Sequence, residues 1–260
     1  MSHVMSGYAQ DSDIITTRAA LAEYTAPEDG LGRFHKPIGF AEYVDEVEHQ
    51  LTRTGMVVRS EEHLVGHEGQ RHFGILELAP AIEGELIQAK DWSMFLGLRG
   101  SHDQSVQRGL ALGRSVMVCS NLCFSGDIAT ISTKQTLNIW TRLPGMIYEA
   151  VSRIPELAHM EEDRVNRMKE FEIRPRQGDM LLVEALRRGY VSSAQLSRAV
   201  TEWDRPSHDE FSENGFTAWR LEQAVTEAVK PANTSNHNLF TVQNRTRGFS
   251  SLMIELMEAA

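Results

Sequence analysis

The spacing of apolar residues changes once along this chain, near Thr136, and that change limits what it can fold into. From Met56 to Phe124 the apolar side chains tend to alternate with polar residues or glycine, the two-residue period of strands with one buried face. Beyond Thr136 they follow helical spacing, as at Leu137, Trp140, Ile147, Val151 and Ile154. Strands followed by helices predict an α+β fold. The expected architecture is an antiparallel β-sheet with packed helices, then a mainly helical C-terminal half that folds back on it. The corresponding divisions are an N-terminal arm at 1–38, a β-rich portion at 39–136 and a helical portion at 137–260, packed as one domain.

Local signals fill in this outline. The arm is irregular apart from a helical signal in TTRAALAEY. FAEYVDEVEHQLTRTG places Phe40, Val44, Val47 and Leu51 on one helical face, and Gly55 marks its stop. That helix is expected to lie across the sheet. GHEGQ, at 66–70, reads as the turn of a hairpin. His63 and His67 share one parity of its strands, and a sheet edge could bring two of His63, His67 and His72 together. Further strands are expected from Trp92 to Gly100 and from Ser105 to Phe124, with Val106, Leu110 and Leu112 on one parity. Pro144-Gly145 predicts a kink or break. MEEDRVNRMKEFE reads as a charged surface helix. DMLLVEALRRGYVSSAQLSRAVTEW has the outline of a helix-turn-helix, turning at Gly189 and restarting at a Ser192 or Ser193 cap. Thr217 caps another helix, a polar linker follows, and FSSLMIELMEAA forms an apolar terminal helix.

Charge narrows the range of partners. The chain of 260 residues carries a formal net charge of −10, unlike a generic nucleic-acid coat. The acidity is uneven. Residues 1–95 hold 7 basic and 16 acidic residues, whereas Leu96–Gly126 has Arg99, Arg108 and Arg114 against Asp103 alone. Ala228–Ile254 has Lys230, Arg245 and Arg247 and no acid. Were these two segments to meet, they would form a basic site on an acidic body. No window approaches the roughly 18 apolar residues of a membrane span, and the N-terminus lacks the pattern of a secretory signal. Two cysteines, Cys119 and Cys123, fit a reduced cytoplasmic protein better than a disulfide scaffold or zinc site.

Three clusters hold chemistry. Ser101-His102-Asp103 follows a strand, but consecutive side chains point apart and cannot form a relay. A local turn is expected, with Ser101 or Asp103 bonding nearby amides and a glycine supplying the awkward dihedral. His102 could still act alone or with a carboxylate from elsewhere. Cys119-Ser120-Asn121 ends a strand; Cys119 is either a small buried hydrophobe or, with a lowered pKa, a nucleophile. The third cluster contains Thr217, Trp219, Asn233, Asn236, His237, Asn238, Asn244, Arg245 and Arg247, with Trp219 or Phe249 as the ring to stack on a base. Arginine, asparagine and tryptophan are side chains that grip phosphates and stack on bases. Phosphate-loop, dinucleotide-binding, zincin and nucleophile-elbow signatures are missing from the sequence. No metal site and no cofactor are expected.

LGLRGSHDQS, RSVMVCSN, LLVEALRRGYVSSAQL and TAWRLEQAVTEAVK together resemble the phage- and plasmid-borne family known as domain of unknown function 932. The resemblance covers roughly Phe40 to Ile254. Relatives usually place glycine after the asparagine of the second motif, where this chain has Leu122. The resemblance implies a mobile-element protein of the host cytoplasm. The resulting expectation is a nucleic-acid-binding accessory protein for single-strand binding or annealing, replication or recombination. Arg99, Ser101, Arg108, Arg114, Trp219, Arg245 and Arg247 would make its contacts. Two alternatives stand beside it. One is a hydrolase of a nucleotide-like substrate using His102, Asp103, Cys119 and Asn121. The other is a phage protein that binds a host protein or assembles as a homo-oligomer.

Overall fold

In the computed structural model, the residues described are 13–26, 33–80, 92–116, 121–124, 131–213, 215–230 and 239–259. They belong to an α+β protein of two compact units, built around the sheet and the later helices respectively. The described chain begins with a strand, β1 (Ile14–Thr16), and a short helix, α1 (Arg18–Leu21). Thr17 caps α1 by accepting the Ala20 N–H at 3.4 Å. An arm without a strand was the expectation from sequence. Ile14 and Ile15 nonetheless pair with Val65 and Leu64, so partners 50 residues away make a strand of a segment with no alternation of its own.

α2 (Phe40–Arg53) forms where the apolar spacing predicts it. Glu42 accepts the Gly39 N–H at 3.2 Å, and the chain leaves the helix at Gly55 with φ +76. Phe40, Val44, Val47 and Leu51 are fully buried, as is Tyr43. Each large apolar side chain removed from water contributes roughly 1.5–3 kcal/mol. This stripe, rather than helix propensity, fixes α2 in place.

The strands are β2 (Met56–Gly66), β3 (Arg71–Pro80), β4 (Trp92–Ser101), β5 (Arg108–Val116), β6 (Asn121–Phe124) and β7 (Ile131–Thr133). They follow the order β1-β2-β3-β4-β5-β6, with β7 pairing the start of β5. The pairings β1/β2, β2/β3, β3/β4 and β5/β7 are antiparallel. Leu76 and Leu78 of β3, Leu96 and Leu98 of β4, and Leu110 and Leu112 of β5 join the α2 stripe in one core. Strand β5 leaves the first unit after Gly113; Arg114 and β6 belong to the second.

α3 (Ile139–Ser152) runs unbroken through Pro144, so of the expected kink or break the break does not occur. Proline inside a helix costs about 3 kcal/mol. The buried face of Ile139, Leu143, Ile147 and Val151 offsets that cost. α3 packs against α2, and the first unit extends through Ala158.

The second unit takes the C-terminal part of α4 (Ile154–Glu170), α5 (Pro175–Arg187), α6 (Ser193–Asp204), α7 (Ala218–Val229) and α8 (Leu239–Glu258). α4 carries the charged surface face expected of it, and on its other face Glu161, Val165 and Met168 are buried. The α5–α6 turn passes through Gly189 at φ +75, and α6 starts on a Ser192 cap that accepts the Gln195 N–H at 3.3 Å. α5 and α6 approach closely at Gly178, where a Cβ would lie 2.4 Å from the Trp203 ring. All of α7 except Glu227 is buried. α8 begins ten residues before the apolar run that marked it. Among the described residues, no helix is long and apolar enough to cross a membrane.

Candidate functional site

Strand parity places the first polar cluster. Leu110 and Leu112 face the core, so Arg108, two residues earlier on β5, faces it too. Its guanidinium crosses the backbone of β4 at Gly100, where a Cβ would meet Nη1 at 2.6 Å. Arg108 Nη2 donates to the Ile38 carbonyl at 2.5 Å and to Gln135 Oε1 at 3.2 Å. The cation lies 5.2 Å from the centre of the Phe40 ring and 5.0 Å from that of Tyr43. Burial lowers the Arg108 pKa to about 10 and raises that of Tyr43. Arg108 is therefore no surface phosphate ligand; the parity that buried its leucine neighbours buried it as well.

The Ser101-His102-Asp103 stretch forms the expected turn. Ser101 Oγ accepts the Val106 N–H at 3.0 Å and donates to the Val106 carbonyl at 3.1 Å. Asp103 accepts the Ser105 N–H at 2.9 Å and the Ser105 hydroxyl. The left-handed dihedral falls on Gln104, at φ +65, not on a glycine. Asp103 also faces His67, 3.6 Å away, and Arg71, 3.9 Å away. The carboxylate lies between hydroxyl and imidazole, the wrong order for a nucleophile–base–orienter relay. Partial burial would raise its pKa, but the Ser105 and Ser101 hydrogen bonds and Arg71 hold it below the usual carboxylate range.

His102 is 1% exposed. It stacks on Phe40 at 3.9 Å between centroids, and its Nε2 donates to the Tyr24 carbonyl at 3.1 Å. Burial, then the Arg108 charge, pushes its pKa down to about 4 against the opposing Tyr24 bond. His63 and His72 meet at 3.2 Å across β2 and β3, while His67 stays in the exposed turn. Burial lowers both of their pKa values, so one neutral ring donates to the other. Among the described residues, no three His, Cys, Asp or Glu side chains converge as metal ligands.

The remaining predicted residues are distributed over both units. Arg99, on β4 opposite Phe73, is half-buried. In the second unit Arg114 is fully buried, with its guanidinium bonded to Glu161 and Glu222. Arg164 bridges the same carboxylates at 3.1 and 3.3 Å, and Ser250 donates to Glu222 at 2.9 Å. Arg114 is thus a structural cation rather than a phosphate contact. Trp219 is 3% exposed beneath Arg114 and Lys169, and Phe249 is fully buried, so neither can stack on a base. Arg245 donates to Gln195 at 2.8 Å, and burial lowers its pKa; Arg247 is exposed. Arg198, the basic residue of α6, is bonded to Glu227 at 2.8 Å. Asn121 lies on β6, while Cys119 and the asparagine-rich linker fall outside the described residues.

Beside the Ser101–Val106 turn, a cleft of about 480 Å³ opens in the first unit. Arg33, His35 and Lys134 supply its basic groups, and Gln104, Gln107 and Gln135 its amides. Phe34, also in the lining, is 67% exposed, with the Arg33 guanidinium 5.6 Å from its ring centre. Among the described residues, no acidic side chain lines the cleft. Gln135 holds its walls together. Its Oε1 accepts the Ile38 N–H at 2.7 Å, its Nε2 donates to the Ser101 carbonyl at 2.7 Å, and its own carbonyl accepts the Lys36 N–H at 3.1 Å. A bridge between His35 and Thr136 joins the same two segments. Sequence reasoning passed over these residues. The available signal was Arg33-Phe34-His35-Lys36, a basic and aromatic run in an otherwise acidic stretch.

Comparison with protein-family models, with curated proteins and with solved structures found no match to this chain.

Proposed function

We propose that this protein binds single-stranded nucleic acid as an accessory factor of replication or recombination in a mobile element, and that the cleft of the first unit is its contact site. The observation that carries the reading is the cleft's lining: Arg33, His35 and Lys134 beside an exposed Phe34, with no carboxylate among the described lining residues, in a chain of net charge −10. Phosphate binding needs cations without competing acids, and strand binding adds an aromatic face for the bases. The resemblance of four motifs to a phage- and plasmid-borne family supports the setting. The helix pair α5–α6 supports it less, since Arg198 is already committed to Glu227.

The test is equilibrium binding of a fluorescent single-stranded oligonucleotide across a salt series. With two permanent cations engaged, the cleft contributes about −1.4 to the slope of log affinity against log salt. Replacing Arg33 and Lys134 together by alanine is expected to remove that part of the slope and weaken binding at low salt. Unchanged affinity and slope in the double variant would overturn the reading.

A further inference from the structure

We infer that the cleft takes a single nucleoside monophosphate unit, with its phosphate held by Arg33 and Lys134 and its base laid against Phe34. This rests on the nucleic-acid reading above and specifies the ligand of the same site. At about 480 Å³, the cleft falls within the roughly 300–1,000 Å³ range of small-ligand sites. A longer strand must therefore leave it after one unit. The polar lining divides into two kinds of group, as such a unit requires. Two permanent cations suit a phosphate. An exposed ring, an imidazole and the Gln104 and Gln107 amides suit a heterocycle and its edge.

One contact supports this division: the Arg33 guanidinium already lies 5.6 Å from the Phe34 ring centre, so a base stacked on that ring brings its own phosphate near the cation. The floor cannot adapt to many shapes, because Gln135 ties three backbone segments to one another. The unit can be a free nucleotide or one residue of a strand, since both present the same phosphate and base.

The test is calorimetric titration at low salt with adenosine monophosphate, adenosine, inorganic phosphate, a single-stranded oligonucleotide and a hexaglutamate peptide. Adenosine monophosphate is expected to bind more tightly than adenosine or phosphate alone. Phe34→Ala is expected to weaken it about tenfold, the loss of one base-stacking contact. Lys134→Ala should weaken it similarly, and Arg176→Ala, exposed in the second unit, should not. Oligonucleotide binding that depends on Arg33 and Lys134, without mononucleotide binding, would overturn this inference and leave the broader reading standing. Binding of neither would overturn both. Phosphate binding as tightly as the nucleotide would reduce the cleft to a simple anion site, and hexaglutamate binding as tightly as the oligonucleotide would make the ligand class wrong. Either result would overturn the inference. A free mononucleotide that displaces the oligonucleotide assigns the site to a strand residue; tight mononucleotide binding with a weak oligonucleotide assigns it to a free nucleotide and overturns the strand reading alone.

Discussion

Replacing Gln135 by alanine should loosen the cleft and weaken the first unit together. Gln135 is 5% exposed and its amide serves three partners: the Ile38 N–H, Arg108 Nη2 and the Ser101 carbonyl. Truncation takes away the side-chain acceptor of the Ile38 N–H and the donor facing the Ser101 carbonyl. Arg108 Nη2 keeps the Ile38 carbonyl. Leaving a buried polar group unsatisfied costs about 1–3 kcal/mol. Two groups affected, with partial relaxation, give a loss of about 3 kcal/mol. With an m-value of about 2–3 kcal/mol/M in urea, the unfolding midpoint should fall by about 1–1.5 M. Urea unfolding followed by far-ultraviolet circular dichroism measures this, with each transition fitted separately where more than one is resolved. Oligonucleotide affinity under native conditions should fall too, because the walls at 33–38 and 101–107 lose their common tie. A midpoint shift below about 0.2 M with unchanged affinity would refute the role given to Gln135.

Three other outcomes follow from the same geometry. His102 has a folded pKa of about 4, below the ordinary value near 6.5. Its unfolded form therefore binds the proton first, and stability is full above about pH 6.5 and falls between there and pH 4. The loss is about 2 kcal/mol for this residue after solvent screening is allowed for, read as a lower urea midpoint at pH 5 than at pH 7. Arg114→Met removes one of the two arginines bonded to Glu161 and Glu222, and should cost about 3–5 kcal/mol in the same assay while leaving oligonucleotide binding by the folded protein intact. Gly100→Ala places a methyl group 2.6 Å from a buried guanidinium and should cost about 1–3 kcal/mol, whereas alanine at Gly145, where a Cβ meets nothing within 4 Å, should not.

Periodicity carried the fold well where one face of an element meets the core. The α2 stripe, the hairpin turn at 66–70, the Ser192 and Thr217 caps and the strand-then-helix order were all legible, because each depends on neighbours within a few residues. Where the partner is remote, sequence reading failed. Arg114 looked like a free cation in an acid-poor segment, yet its carboxylates come from positions 47 and 108 residues away. The parity of Leu110 and Leu112 already contained the burial of Arg108 and Arg114, since all four positions are even. β1 was unreadable for the same reason, its pairing partner lying on β2. The cleft draws on residues near 34, 105 and 135, and its floor was hidden in a glutamine without any motif. Only the run from Arg33 to Lys36 announced it.

The central claim is that nucleic acid binds at this cleft, and photo-crosslinking tests it most directly. A halogenated single-stranded oligonucleotide, irradiated in complex with the full chain, should yield crosslinked peptides containing Phe34 or the segment from Lys134 to Thr136. Crosslinks confined to α5–α6 or to α8, with none in those two segments, would contradict the account.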